Sequence, residues 1–123
     1  MNTNGEAMCV LPNYQNAVIP LEKFTRYALC LTHDLGVHKA IVFEEVLGYT
    51  TANAKALIAN IRGNVDKFPC IFKGTSAFGD VHEVVMELKG QNGRKAPVVT
   101  AWIIVKGTDY PRLTSAYVDK FRG

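Results

Sequence analysis

Apolar positions recur at helical spacing through residues 21–61 and then alternate along the second half of the chain. Residues three and four apart share one face of a helix, so the first pattern predicts helices over residues 21–31, 37–47 and 52–61. Gly48 follows the second of these segments, and Thr50 or Thr51 precedes the third, where such residues commonly end and cap helices. The first half of the chain is therefore predicted to be helical.

The alternating pattern predicts strands over residues 68–72, 80–89, 96–106 and 112–118. Helices followed by strands predict an α+β fold, in which about three N-terminal helices pack on one face of a three- to four-stranded antiparallel meander. Residues 1–19 lack periodicity and contain Pro12, so we expect an extended arm that lies against the domain. Residues 20–123 are predicted to form a single α+β domain.

Asn92-Gly93 between two strands is typical of a two-residue hairpin turn, which would pair Gln91 with Arg94. Because side chains alternate between the two faces of a strand, this register decides which residues meet the helices. The side chains predicted to face the helices are Val84, Met86, Leu88, Val99 and Ala101. On the last strand, Leu113 and Tyr117 are the better core candidates.

The opposite face of the sheet would then carry an acid, a guanidinium, two hydroxyls and an indole. These groups belong to Glu83, Arg112, Thr100, Thr114 and Trp102. One interpretation is an ordinary solvent-exposed face, because threonine and tryptophan favour strands. The other is a binding face, in which the guanidinium holds phosphate, the hydroxyls orient it and the indole stacks on a base.

Charge is unevenly distributed along the 123 residues. Residues 1–88 hold nine acidic and seven basic side chains, whereas residues 89–123 hold two acidic and seven basic ones. A basic segment on a slightly acidic body is typical of a surface that binds a polyanion such as nucleic acid, and a solvated basic hairpin has the same composition. The apolar fraction of 48% and the charged fraction of 20% exclude a disordered chain.

No apolar run approaches the length of about 18 residues that spans a bilayer, and the first residues lack the pattern of a signal peptide. We therefore expect no membrane contact and a cytoplasmic site of action. Cys9, Cys30 and Cys70 are far apart and odd in number, and the three histidines are scattered. The sequence thus predicts reduced thiols, no metal site and no cofactor.

His38 and Lys39 fall in the first turn of the predicted second helix. Cationic side chains are unfavourable there, because the N-terminal end of the helix dipole is positive. Free backbone N–H groups together with a histidine and a lysine form a suitable cradle for phosphate, and histidine transfers protons near neutral pH. The alternative is that Asp34 offsets the charge and that both side chains are simply exposed.

Several stretches, in a fixed order over residues 11–118, resemble an uncharacterised bacterial domain family. They include Leu11-Pro12-Asn13-Tyr14, Gly36-Val37-His38-Lys39, Gly90-Gln91-Asn92-Gly93-Arg94, Thr100-Ala101-Trp102 and Pro111-Arg112-Leu113-Thr114. Members of that family occur as small stand-alone proteins and as C-terminal modules of contact-dependent inhibition exoproteins. Such modules are similar to the barnase, EndoU, colicin and RelE-like group of ribonuclease toxins, in which helices precede a meander whose open face binds RNA.

The resemblance implies a metal-independent endoribonuclease toxin that acts on tRNA or another structured RNA. A ribose 2′-hydroxyl would attack the adjacent phosphorus, with His38 as the acid/base catalyst and Glu83 as its weaker partner. Lys39 and Arg112 would stabilise the charge of the phosphorane. The residues implied in orienting or binding the substrate are Thr100, Thr114, Trp102, Glu83 and Tyr117.

The same resemblance implies a cognate immunity protein as partner and delivery as part of a secreted exoprotein. Two other functions fit the residues. One is a non-catalytic immunity or interaction protein, and the other is an RNA-binding module without cleavage.

Overall fold

The computed structural model describes residues 9–32 and 37–119, in which helical segments come first and four strands follow. The helical segments are a 3-10 turn at Tyr14–Asn16, a π-helical turn at Phe24–Ala28, helix α1 (Val37–Val42) with a π-helical continuation at Phe43–Leu47, a 3-10 turn at Thr51–Asn53 and helix α2 (Ala54–Asn64). The strands are β1 (Cys70–Thr75), β2 (Gly79–Lys89), β3 (Lys95–Val105) and β4 (Arg112–Val118). Each predicted helical segment thus contains a helix.

Two predicted helix boundaries are confirmed by their hydrogen bonds. Gly48 adopts a left-handed conformation with φ of 74°, and its N–H donates to the Glu44 carbonyl at 3.0 Å. Thr50 begins the next helix with a capping box: its hydroxyl accepts from Ala52 N–H at 3.2 Å, and its own N–H donates to the Asn53 side chain at 2.7 Å. These caps satisfy backbone groups that would otherwise lack partners at the helix ends.

The four strands form one antiparallel sheet in the order β1-β2-β3-β4, which is a simple meander. The helices cover one face of this sheet and share a single hydrophobic core with it. The fully buried core side chains include Leu11, Phe24, Phe43, Leu47, Leu57, Ile61, Val84, Met86, Trp102 and Leu113. The predicted α+β architecture, with helices before the strands, is confirmed.

The turn between β2 and β3 differs from the prediction and has three residues. Gly93 N–H donates to the Gly90 carbonyl at 3.2 Å, and Gly90 N–H donates to the Arg94 carbonyl at 2.7 Å. Gly93 has φ of 85°, so the loop is a type I turn followed by a left-handed glycine. Gln91 N–H donates to the Leu47 carbonyl at 2.8 Å, which holds the turn against the helical layer.

This turn moves the pairing by one residue and makes the predicted register wrong. Met86 pairs with Val98 rather than Val99, and Val84 pairs with Thr100. A shift of one residue exchanges the two faces of a strand. All predicted face assignments on β3 are therefore inverted, including that of Trp102, whereas those on β2 are correct.

Strand β4 contains a bulge, and beyond the bulge its side chains change the face of the sheet that they occupy. Trp102 pairs with Leu113 and Ala101 pairs with Ser115, so Thr114 is the extra residue. Leu113 is buried in the core as predicted. Beyond the bulge Tyr117 pairs with Val99 on the side away from the helices, which contradicts the prediction that it faces the core.

The arm crosses the molecule from one edge of the sheet to the other. At one end Cys70 N–H donates to the Cys9 carbonyl at 2.8 Å. At the other end Val18 forms a parallel bridge with Arg112, and Leu113 N–H donates to the Val18 carbonyl at 3.0 Å. Residues 9–19 thus lie against the domain, while residues 1–8, 33–36 and 120–123 lie outside the described chain.

Candidate nucleic-acid interface

The sheet face opposite the helices is the candidate interface, and we call it the open face. Three cross-strand rows from β2, β3 and β4 form it. They are Val81–Ile103–Arg112, Glu83–Ala101–Ser115 and Val85–Val99–Tyr117. The centre of the open face is apolar, and its polar groups lie along β4 at one edge and on β2 near the other. Val99 is only 2% exposed although it lies outside the core cluster.

Helix α1 lies beside β4 and brings a cation to the open face. The Lys39 ammonium is 4.7 Å from the centroid of the Tyr117 ring. A cation at this distance from an aromatic face contributes about 0.5–1 kcal/mol at an exposed site. Two predicted site residues, which are 78 positions apart in the sequence, therefore meet. His38 precedes Lys39 on α1, and its side chain is exposed.

Arg112 begins β4 at the opposite end of that strand. Its side chain is exposed, and its backbone is paired on both sides, with Ile103 of β3 and with Val18 of the arm. Five positions of extended chain separate Arg112 from Tyr117, a distance of about 16 Å at roughly 3.3 Å per residue. Arg112 and Lys39 are thus suited to two different phosphates rather than to a single one.

Thr114 occupies the bulge, and its hydroxyl hydrogen bond limits what it can bind. Its Oγ1 donates to the Ala101 carbonyl at 3.2 Å, and the side chain is otherwise exposed. A hydroxyl has one hydrogen to donate, and phosphate oxygens only accept. In this arrangement Thr114 offers a lone pair to a ligand and no proton. Ser115, the next residue, lies on the open face in the row of Ala101.

Thr100 and Trp102 face the core, so their predicted location on the outer face is wrong. Both are 0% exposed. The Trp102 indole N–H donates to Thr100 Oγ1 at 2.8 Å, and that hydroxyl donates to the Val84 carbonyl at 2.7 Å. The Thr-Ala-Trp sequence therefore satisfies a buried indole, because a hydroxyl can accept one hydrogen bond and donate another. Neither side chain can reach a ligand on the open face.

Glu83 lies on the open face as predicted, but it is far from β4. It belongs to β2, and Ala101 of β3 lies between it and Ser115. Two interstrand spacings correspond to about 10 Å. The structure therefore does not bring Glu83 to the histidine and lysine that approach the sheet from the β4 side.

The basic β2–β3 hairpin is anchored by a polar cluster that sequence patterns did not indicate. Asn60 Nδ2 donates to the Lys89 carbonyl at 2.9 Å and to Tyr49 Oη at 3.0 Å, and Tyr49 Oη donates to the same carbonyl at 3.2 Å. Lys89, Arg94 and Lys95 are exposed around the turn. Lys89 pairs directly with Lys95, and such like-charge pairs are destabilising unless an anion lies nearby.

The chain matches a known family over most of its length. A domain of unknown function, DUF6883, matches residues 10–120 of the 123-residue chain. The chain belongs to this family. No curated protein and no solved structure matches the domain.

Among residues 9–32 and 37–119, no group of three or more His, Cys, Asp or Glu side chains is placed to hold a metal ion. Within the same part of the chain, no helix has the length and apolarity needed to cross a bilayer.

Proposed function

We propose that this chain is a metal-independent endoribonuclease toxin that binds tRNA or another structured RNA along β4 and cleaves it beside helix α1. The single observation that carries the proposal is the approach of Lys39 to Tyr117, which unites α1 and the open face. A cation and a phenol ring side by side suit a nucleotide, because one binds phosphate and the other stacks on a base. The exposed His38, which precedes Lys39 on α1, supplies an imidazole that can accept or donate a proton.

The reaction is attack of a ribose 2′-hydroxyl on the adjacent phosphorus. His38 takes the proton of that hydroxyl or delivers a proton to the departing 5′-oxygen. Lys39 stabilises the negative charge that develops on the phosphorane oxygens. Arg112 holds the phosphate of a different nucleotide, since it lies at the far end of β4. Thr100 and Trp102 take no part in the reaction, because both are buried.

The test is cleavage of end-labelled tRNA and a structured messenger fragment by the purified full chain in the presence of EDTA. We expect products with 2′,3′-cyclic phosphate ends, and no cleavage where a 2′-deoxynucleotide replaces the attacking ribose. His38→Ala is expected to lower kcat by about 10²–10⁴-fold. Lys55→Ala, which removes an exposed lysine of α2, is the control and is expected to leave the rate unchanged.

Variants of Arg112 and Lys39 distinguish substrate binding from stabilisation of the transition state. Arg112→Ala is expected to raise KM with little change in kcat, because Arg112 binds a phosphate that does not react. Lys39→Ala is expected to lower kcat, because Lys39 stabilises the transition state. Thermal unfolding of each variant shows whether it is folded. The proposal fails if the wild-type chain cleaves no RNA with or without EDTA, or if folded His38→Ala cleaves at the wild-type rate.

A non-catalytic interaction protein, such as an immunity protein, is the second candidate. It is favoured by the apolar centre of the open face, where Val81, Val85 and Ile103 are partly exposed. Apolar surface that is not covered by the chain itself commonly marks a protein interface. Harmless expression in bacteria, together with absent cleavage, would support this candidate over the first.

A further inference from the structure

Cys9 of the arm and Cys70 of β1 are neighbours in space although about 60 residues separate them in the sequence. The Cys70 N–H donates to the Cys9 carbonyl at 2.8 Å, which is the contact made by adjacent strands. A backbone N–H···O=C bond holds two residues about as close as a hydrogen-bonded pair of adjacent strands, whose Cα atoms are about 5.5 Å apart, and disulfides form between Cα atoms about 4.4–6.8 Å apart. The arm therefore presents Cys9 to Cys70 at a separation that a disulfide can bridge.

We propose that Cys9 and Cys70 form an oxidisable dithiol site that reacts with glutathione disulfide to give an intramolecular disulfide between the arm and β1. This site is independent of the proposed ribonuclease activity, because neither cysteine belongs to the open face, whose residues carry that activity. Cys30 is the third cysteine, and its thiol lies 3.2 Å from the Thr32 hydroxyl on the segment after the first π-helical turn.

The reaction proceeds in two balanced exchanges. Cys9 is exposed, so its thiolate attacks a sulfur of glutathione disulfide, forms a mixed disulfide and releases one glutathione thiolate. The Cys70 thiolate then attacks the Cys9 sulfur, and a second glutathione thiolate leaves. Two protein thiols lose two electrons and two protons, and one glutathione disulfide becomes two glutathione molecules.

The second exchange is expected to limit the rate. Burial, together with the neighbouring Cys9 thiolate, raises the pKa of the Cys70 thiol from 9.0 to about 11. The thiolate is the attacking species, so only a small fraction of Cys70 reacts at neutral pH. The contribution of the Cys9 thiolate is lost once Cys9 is in the mixed disulfide, but burial of Cys70 remains, so ring closure should accelerate as the pH rises.

The disulfide would fasten the arm to the edge of the sheet. Closing a loop of about 60 residues removes more conformational freedom from the unfolded chain than closing a short loop does. We expect the oxidised chain to unfold at a temperature about 10 °C or more above that of the reduced chain. Reduction with dithiothreitol should reverse the shift.

The experiment incubates the folded full chain with glutathione disulfide at several pH values and quenches it with an alkylating agent. Mass spectrometry after proteolysis is expected to find Cys9 linked to Cys70, with a mass loss of two hydrogens. Cys30→Ser is the matched control and should form the same link at the same rate. Cys9→Ser, a change at an exposed position, should abolish the link and the shift in unfolding temperature.

Three results would overturn the proposal. They are glutathione that stays attached to Cys9 without ring closure, a disulfide that involves Cys30, and a Cys9–Cys70 link that forms only in denaturant. Cys70→Ser should also abolish the link, but it alters a partly buried side chain and can prevent folding. The comparison of Cys9→Ser with the wild type therefore decides the question.

Discussion

Replacement of Thr100 by valine tests the buried hydrogen-bond chain and, with it, the register of the sheet. Valine keeps the shape of threonine, so the main change is the loss of the hydroxyl. The Trp102 indole N–H then has no acceptor, and Val84 O loses the hydrogen bond from that hydroxyl. An unsatisfied buried donor costs about 1–3 kcal/mol, and a net hydrogen bond contributes about 1 kcal/mol. We therefore expect Thr100→Val to lower the free energy of unfolding by about 2–4 kcal/mol.

Urea unfolding followed by tryptophan fluorescence measures this change, since the chain has a single tryptophan. The unfolding temperature should fall by about 8–15 °C. Thr114→Val is the matched control, because its hydroxyl also donates to a carbonyl but at an exposed position, and we expect a change within about 0.5 kcal/mol. If Thr100→Val is as stable as the wild type, or if Thr114→Val is the more damaging change, the assignment of Thr100 to the core is refuted.

Three further changes have defined outcomes. Gly90→Ala would place its Cβ 2.2 Å from the Leu47 carbonyl oxygen and should destabilise the chain by about 3 kcal/mol. The Cβ of Gly63→Ala meets no atom within 4 Å, and this change should stabilise helix α2 by about 0.5–1 kcal/mol. Urea unfolding measures both changes in the free energy of unfolding. The raised pKa of Cys70 means that stability is retained below pH 9 and lost as pH rises through about 11, and Cys70→Ala should flatten that part of the stability profile. Arg112→Ala should reduce the slope of log Kd for RNA against log salt concentration by about one, measured by fluorescence anisotropy.

The elements of the fold were predictable because their signals are local. Helical spacing, the glycine at position 48 and the threonine at position 50 all act within a few residues of the boundary that they define. The β4 bulge and the three-residue β2–β3 turn depend instead on contacts with other elements. Asn92, for example, donates to the Val46 carbonyl at 3.0 Å, a partner 46 positions away, and nothing near Asn92 in the sequence indicates that partner.

The candidate site was predictable only in part for the same reason. A single residue of register decides whether Thr100 and Trp102 lie in the core or on the open face. Their residue types suit both places, because a hydroxyl beside an indole can serve a ligand or satisfy a buried N–H. The meeting of Lys39 with Tyr117 and the adjacency of Cys9 and Cys70 depend on tertiary packing, which the linear order of residues does not reveal.

The route of the arm has a consequence for synthesis on the ribosome. Residues 9–19 are translated before the helices, yet Val18 pairs with Arg112 and the Asn13 side chain donates to the Asp109 carbonyl, 96 positions later. The arm must wait undocked until nearly the whole chain has left the exit tunnel. Its docking is therefore a late folding event, and nascent chains that stall before β4 should lack a completed core and be targets for chaperones and proteases.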